Sequence, residues 1–389
     1  MHAWRWLVGM CCLPFAFAAD AVLLIDAEFG RSESTSAQAI RLGAELAADD
    51  VNRAGILPAG MRLRIDTADN RGLPARAVDQ LRAAASRAEV VAVMHGKFSP
   101  AALACVPVAH QVGMPLLLPW SAADGAIDHG LVPSWTFRLS LRDAWAMELL
   151  ARHALAIAPT RIDLLLPNNS WGRSCQAAIE RQYAGTASAQ VRSEWYAMGS
   201  EPLAQAYERL RLAGAAAVII AANEDDGATL IKTLAEKAAG DRLPLLFHWG
   251  ITGGDFPAMT GPALTRVDLR VVQTFSLASS TRPLAARLRD GIRASGYAGD
   301  PTRYPSICGA AHAYDLVRLL GMGLAAAGTT ARPALRTALC RLDPFQGVVS
   351  DYAPAFTEDR REALRPDLLF LARFAGDGRL LPDAGGSAP

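Results

Sequence analysis

The stretch VVAVMHGKFSPAALACVPVAHQVGMPLLLPWSA, Val90–Ala122, decides the fold. An apolar run, Val90–Met94, leads into a loop that holds Gly96 and Ser99. A helical stretch follows and stops at Gly113-Met114-Pro115. A second apolar run, Leu116–Leu118, ends in a second loop, Pro119–Ala123. Strand, loop, helix, strand, loop is a βαβ unit and requires a parallel sheet. Both loops leave the carboxyl ends of their strands, where open parallel sheets hold ligands.

The alternation continues on both sides. Ala21–Asp26 reads as a strand, and Ile40, Gly43, Ala44, Ala47 and Val51 recur at helical spacing up to a stop at Gly55. Met61–Asp66 alternates as a half-exposed strand does. Ala77, Val78, Leu81 and Ala85 mark the next helix. Thr136–Leu139 reads as extended and Asp143–Ala156 as helical. The pattern then restarts, with strands at Ile162–Leu166, Val191–Tyr196, Ala216–Ala221, Leu243–Trp249 and Val271–Phe275. Ala353–Thr357 and Leu368–Phe374 read as closing strands, with a turn at Gly376-Asp377-Gly378. Two such rounds predict an α/β fold of two doubly wound, Rossmann-like lobes.

Charge excludes some partners. Lys and Arg total 39 against 38 Asp and Glu, so nothing favours nucleic acid or an anionic membrane surface. Almost all the positive charge is Arg; only Lys97, Lys232 and Lys237 are lysines. At the N-terminus, His2 and Arg5 precede an apolar core, Trp6–Phe17, and small residues follow. This predicts a signal peptide, residues 1–18, cleaved after Ala18, and a periplasmic mature chain. The tail, 383–389, reads as disordered.

Cys105, Cys175, Cys308 and Cys340 show no C-x-x-C spacing. In an oxidising compartment Cys308–Cys340 is the favoured pair for a bridge, and buried free thiols are the equal alternative. Hydrolase, zinc-protease, Walker and dinucleotide signatures are missing, so no enzyme activity, cofactor or metal is expected. Glu224-Asp225-Asp226 reads as the acidic first turn of a helix capped by Asn223. What remains is a set of loops at strand ends carrying Ser99, Trp120, Ser121, Asn169, Ser170, Trp171, Asn223, His248, Trp249 and Thr252. Hydroxyls and amides fix a polar ligand, indoles enclose its apolar part, and helix N-termini suit a carboxylate.

Ordered motifs now point to a family. The helix around Gly43-Ala44-Glu45-Leu46-Ala47, then Asp69-Asn70, Pro107-Val108-Ala109, Gly113-Met114-Pro115, Phe137-Arg138, Trp171-Gly172-Arg173, Tyr314-Asp315 and Phe345-Gln346-Gly347 follow its order. The chain resembles the periplasmic branched-chain amino acid and amide binding proteins of ABC transporters. The resemblance implies lobe 1 at residues 19–138 plus 275–345, and lobe 2 at 139–274 plus 346–382. It implies a monomer that binds a small ligand in the interlobe cleft and presents it to an inner-membrane ABC permease. Members of this fold also signal to membrane sensor proteins.

The resemblance also supplies site residues. Ser99 matches the hydroxyl that holds the ligand carboxylate. Trp120, Ser121 and Ala122 match the next loop, whose third position is typically Thr. Trp171 and Asn223 stand where Tyr is common. After the strand that ends at Trp249 the family carries an acid for an α-ammonium, and Ile251 stands near that position. Without that acid, an amide, urea-like compound or organic acid fits at least as well as an amino acid.

Overall fold

The computed structural model describes residues 20–31, 34–183, 189–199 and 202–383. The expected signal peptide lies outside the described residues, as does the tail beyond Asp383. Asp383 itself is ordered: its N–H donates to the Leu371 carbonyl at 2.8 Å and its carboxylate accepts from Arg270 Nε at 2.7 Å.

The first round is β1 (Asp20–Ala27), α1 (Ser36–Ala54), β2 (Arg62–Asp69), α2 (Pro74–Ala85), β3 (Val90–His95), α3 (Ser99–Val112), β4 (Leu116–Leu118) and β5 (Thr136–Arg138). The five strands form one parallel sheet in the order β2-β1-β3-β4-β5. β3 is buried along its whole length, as a central strand covered by helices on both faces must be.

The second round is α4 (Asp143–Ile157), β6 (Arg161–Pro167), α5 (Ser170–Tyr183), β7 (Gln190–Tyr196), α6 (Leu203–Leu212), β8 (Val218–Ile220), α7 (Glu224–Ala235), β9 (Leu245–Phe247), α8 (Phe256–Thr260) and β10 (Leu269–Gln273). The chain then returns to the first lobe with α9 (Pro283–Ala294), α10 (Ile307–Ala327) and α11 (Arg332–Leu339). It ends with β11 (Phe345–Gln346), β12 (Asp351–Tyr352), β13 (Phe370–Phe374) and β14 (Leu380–Pro382). The second sheet runs β14-β13-β10-β9-β8-β6-β7, antiparallel only at β13 and β14. The expected two-lobed α/β architecture is therefore present.

One local expectation fails and one open alternative is decided. Ala353–Thr357 forms no strand; Pro354 lacks the N–H that a ladder needs. No Cys308–Cys340 bridge forms: the four described cysteines are free and buried. Cys308 Sγ donates to Gln273 Oε1 at 2.8 Å, and Cys340 Sγ donates to the Arg336 carbonyl at 3.3 Å.

The crossings between lobes are tied by buried charge. Arg138 ends β5 and is fully buried. Its guanidinium grips Glu362 in a two-pronged pair, a geometry that suits Arg and a carboxylate. Its remaining prong donates to the Ala123 carbonyl at 2.8 Å. The segment β11–β12 stays with α10: the Asp315 carboxylate accepts from Val348 N at 2.7 Å, Val349 N at 2.9 Å and the Tyr352 hydroxyl at 2.7 Å.

Candidate functional site

The loops after β3, β4, β6, β8 and β9 converge between the lobes. On the first lobe, Ser99 opens α3 and is almost fully buried. Pro100 follows it, where a missing N–H costs the helix nothing. Ser121 Oγ donates to Ser99 Oγ at 3.1 Å. Ser121 thus stands behind Ser99.

The loop Pro119–Ala123 is held at every residue by groups outside it, Ala123 through the Arg138 bond given above. His312 Nδ1 donates to the Pro119 carbonyl at 2.8 Å. Burial pushes the His312 imidazole down to about 4, so the ring is neutral, and its Nε2 accepts from Thr274 Oγ1 at 2.9 Å. Ser140 Oγ donates to the Trp120 carbonyl at 2.9 Å. Arg138 Nη1 reaches the Ser121 carbonyl at 3.4 Å, and Asp143 N donates to the Ala122 carbonyl at 2.9 Å. Trp120 packs on Gly309 of α10, where a Cβ would come within 2.7 Å of its ring.

On the second lobe, Asn169 caps α5: its Oδ1 accepts from Trp171 N at 2.9 Å and Gly172 N at 3.1 Å. Trp171 Nε1 donates to Asp143 Oδ1 at 3.2 Å, and its ring meets His248 edge-on at 5.2 Å. Trp249 follows β9 and lies 5.2 Å from Trp120 of the opposite lobe, tilted by 38°. Asn223 occupies the capping position of α7 but makes no side-chain cap bond. Its side chain lines the cleft instead.

The residues expected at the site are mostly brought together. Ser99, Trp120, Ala122, Trp171, Asn223 and Trp249 line one cavity, joined by Lys97, Phe98 and Met198. Ile251 does not join them. It is fully buried and packs over Gly227 of α7, inside the second lobe. The lobes are closed together: about 20 Å³ remains for the centre of a water molecule, room for one or two waters.

One pair was missed from sequence. Lys97 Nζ of the first lobe binds Glu224 Oε1 of the second, and both side chains are 2% exposed. Lys97 also lies over the Phe98 ring at 5.2 Å. A Cβ at Gly253 would fall 2.6 Å from Lys97 Nζ and 2.7 Å from Glu224 Oε2, so that glycine leaves the pair its space. Thr35 N donates to the Gly253 carbonyl at 3.0 Å, a second polar link between the lobes. Glu224 is therefore a buried partner across the cleft, not only an acid complementing a helix dipole.

The family model for periplasmic binding proteins matches residues 24–378. A periplasmic binding protein type 1 from Bordetella pertussis Tohama I superposes with TM-score 0.81 at 19% identity, over 94% of this chain and 100% of that one. A solute-binding protein from R. palustris, in complex with benzoate, gives 0.77 at 18%, over 95% and 97%. LivJ from Streptococcus pneumoniae, in complex with isoleucine, gives 0.74 at 19%, over 93% and 97%. A sequence search of curated proteins returns no match.

Proposed function

The chain belongs to the periplasmic binding protein family, and from that premise we propose that it captures a small organic acid without an amino group for an ABC permease. The observation that carries the ligand class is the Lys97–Glu224 pair. An α-ammonium entering this cleft would need a carboxylate, and the one at hand already holds an ammonium from the protein itself. Displacing Lys97 would leave a second buried charge unpaired, which is costly. A carboxylate meets better conditions: the Ser99 hydroxyl, the N-terminal N–H groups of α3 and the nearby Lys97. Trp120, Trp171 and Trp249 would enclose an aromatic or aliphatic body.

Of the two liganded relatives above, the benzoate complex fits this reading better than the isoleucine complex. In the proposal the chain acts as a monomer, binds without turnover, and is exported by a signal peptide cleaved after Ala18. The test is a thermal-shift screen of benzoates, aliphatic acids, amides, ureas, leucine and valine. An acid at a hundred times its dissociation constant should stabilise by about 2.7 kcal/mol. Its affinity should fall in both Ser99→Ala and Trp171→Ala. Tight leucine or valine binding would overturn the ligand class, and unchanged calorimetric affinity in both variants would overturn the site.

A further inference from the structure

Behind Trp171, on the side away from the cleft, three side chains from three segments meet. Asp143 opens α4, Cys175 sits one turn into α5, and His248 follows β9. All three are fully buried. A carboxylate oxygen, the Cys175 Sγ and an imidazole nitrogen lie within 4.8 Å of one another.

Hydrogen bonding leaves this cluster incomplete. His248 Nε2 is 3.1 Å from Asp143 Oδ1, yet it is not aimed to bond there. His248 Nδ1 and Asp143 Oδ2 also lack hydrogen-bond partners among the described residues. Each such buried group costs about 1–3 kcal/mol if nothing engages it, and an unpartnered imidazole nitrogen and carboxylate oxygen gathered beside a thiol call for an occupant. The residues sit at positions 143, 175 and 248, too far apart for any metal-motif spacing, so only the fold brings them together.

We propose that Asp143, Cys175 and His248 bind a zinc ion. Thiolate sulfur, imidazole nitrogen and carboxylate oxygen are the donors Zn²⁺ takes, and three protein ligands leave a fourth position in a tetrahedral shell. A thiolate and a carboxylate together balance the charge of a divalent ion, which a buried site requires. Trp171 Nε1, bonded to Asp143 Oδ1 at 3.2 Å, would orient the carboxylate ligand as outer partners commonly do. The ion would also fix the base of Trp171, one wall of the cleft, and the start of α4 just after the first crossing. The assignment is independent of which ligand the cleft takes.

The experiment uses the tag-free mature chain and Co²⁺ as a spectroscopic stand-in for zinc. The expected result is one Co²⁺ per chain with a near-ultraviolet thiolate-to-cobalt charge-transfer band, displaced by Zn²⁺. Cys175→Ser should abolish the band. His248→Gln should weaken Zn²⁺ binding by more than the roughly 10–100-fold typical of losing an outer partner, and Trp171→Phe by about that amount. Circular dichroism checks that each variant folds. The wild-type chain alone can overturn the proposal: absence of the charge-transfer band at saturating Co²⁺ does so, as does a band that survives in folded Cys175→Ser.

Discussion

The two faces of the cleft are built in opposite ways. The first-lobe face comes from one continuous stretch, and its second loop is pinned carbonyl by carbonyl by Arg138, Ser140, Asp143 and His312. The second-lobe face is assembled from the ends of three separate strands, around Trp171, Asn223 and Trp249. It presents indole surface and the amides of Asn169 and Asn223, with the buried Glu224 already paired to the other lobe. The first face is thus a rigid polar cradle, and the second is an aromatic cover whose charge is neutralised only on closure. The difference locates anion recognition on one side and enclosure on the other.

Four measurements would break or sharpen that contrast. The largest effect is expected from Trp120→Ala, which empties a space bounded by α10 within the first lobe. It should cost about 3–5 kcal/mol in urea unfolding; a loss below 1 kcal/mol would mean that Trp120 is a movable cover like its counterparts. Lys97→Met comes next. It strands the Glu224 carboxylate, a cost of about 3 kcal/mol or more that falls on the closed form, because opening returns that carboxylate to water. Small-angle scattering should show a larger radius of gyration with little change in the urea midpoint. An unchanged radius would break the argument that charge pairing belongs to closure.

The third measurement contrasts buried acids. Glu224 is paired with a cation; near the end of β1, neither carboxylate oxygen of Asp26 has a hydrogen-bond partner among the described residues. Burial pushes the Asp26 carboxyl up to about 7, with Glu28 and Asp69 adding to the rise. A raised folded value means that the protonated form favours the fold. This contribution is complete below the ordinary value near 3.8 and is lost as pH rises towards 7. The slope is at most about 1.4 kcal/mol per pH unit, and Asp26→Asn should flatten it in urea titrations at pH 5 and pH 7. The smallest effect is expected from Gly253→Ala. Its Cβ would press on the Lys97–Glu224 pair, and the flexible lysine should limit the cost to about 1 kcal/mol, again read as partial opening.

Legibility followed the same division. The first-lobe loops could be read from sequence because Gly96, Pro100, Gly113 and Pro119 punctuate a contiguous βαβ unit, and Ser99 and Ser121 lie where that unit points. Lys97 was passed over although it is one of three lysines in an arginine-rich chain, which was the available signal. Its partner Glu224 is 127 positions away. Nothing local distinguishes it from the two acids that follow it, and only the opposite lobe buries it. The resemblance alone points to Ile251, as the residue near the family's acid position. The Trp249–Gly253 segment coils into a short 3-10 turn that sends its side chain inward over Gly227. The cluster of Asp143, Cys175 and His248 had no sequence signal, since its spacing is set wholly by tertiary packing.

The indole pair across the cleft has a practical consequence. Trp120 and Trp249 belong to different lobes and lie 5.2 Å apart, while Trp171 lies against an imidazole. Indole emission responds to neighbouring rings and to water. Parting the lobes would change both for these residues, so the protein carries its own optical gauge of opening, readable by stopped-flow fluorescence without any attached dye.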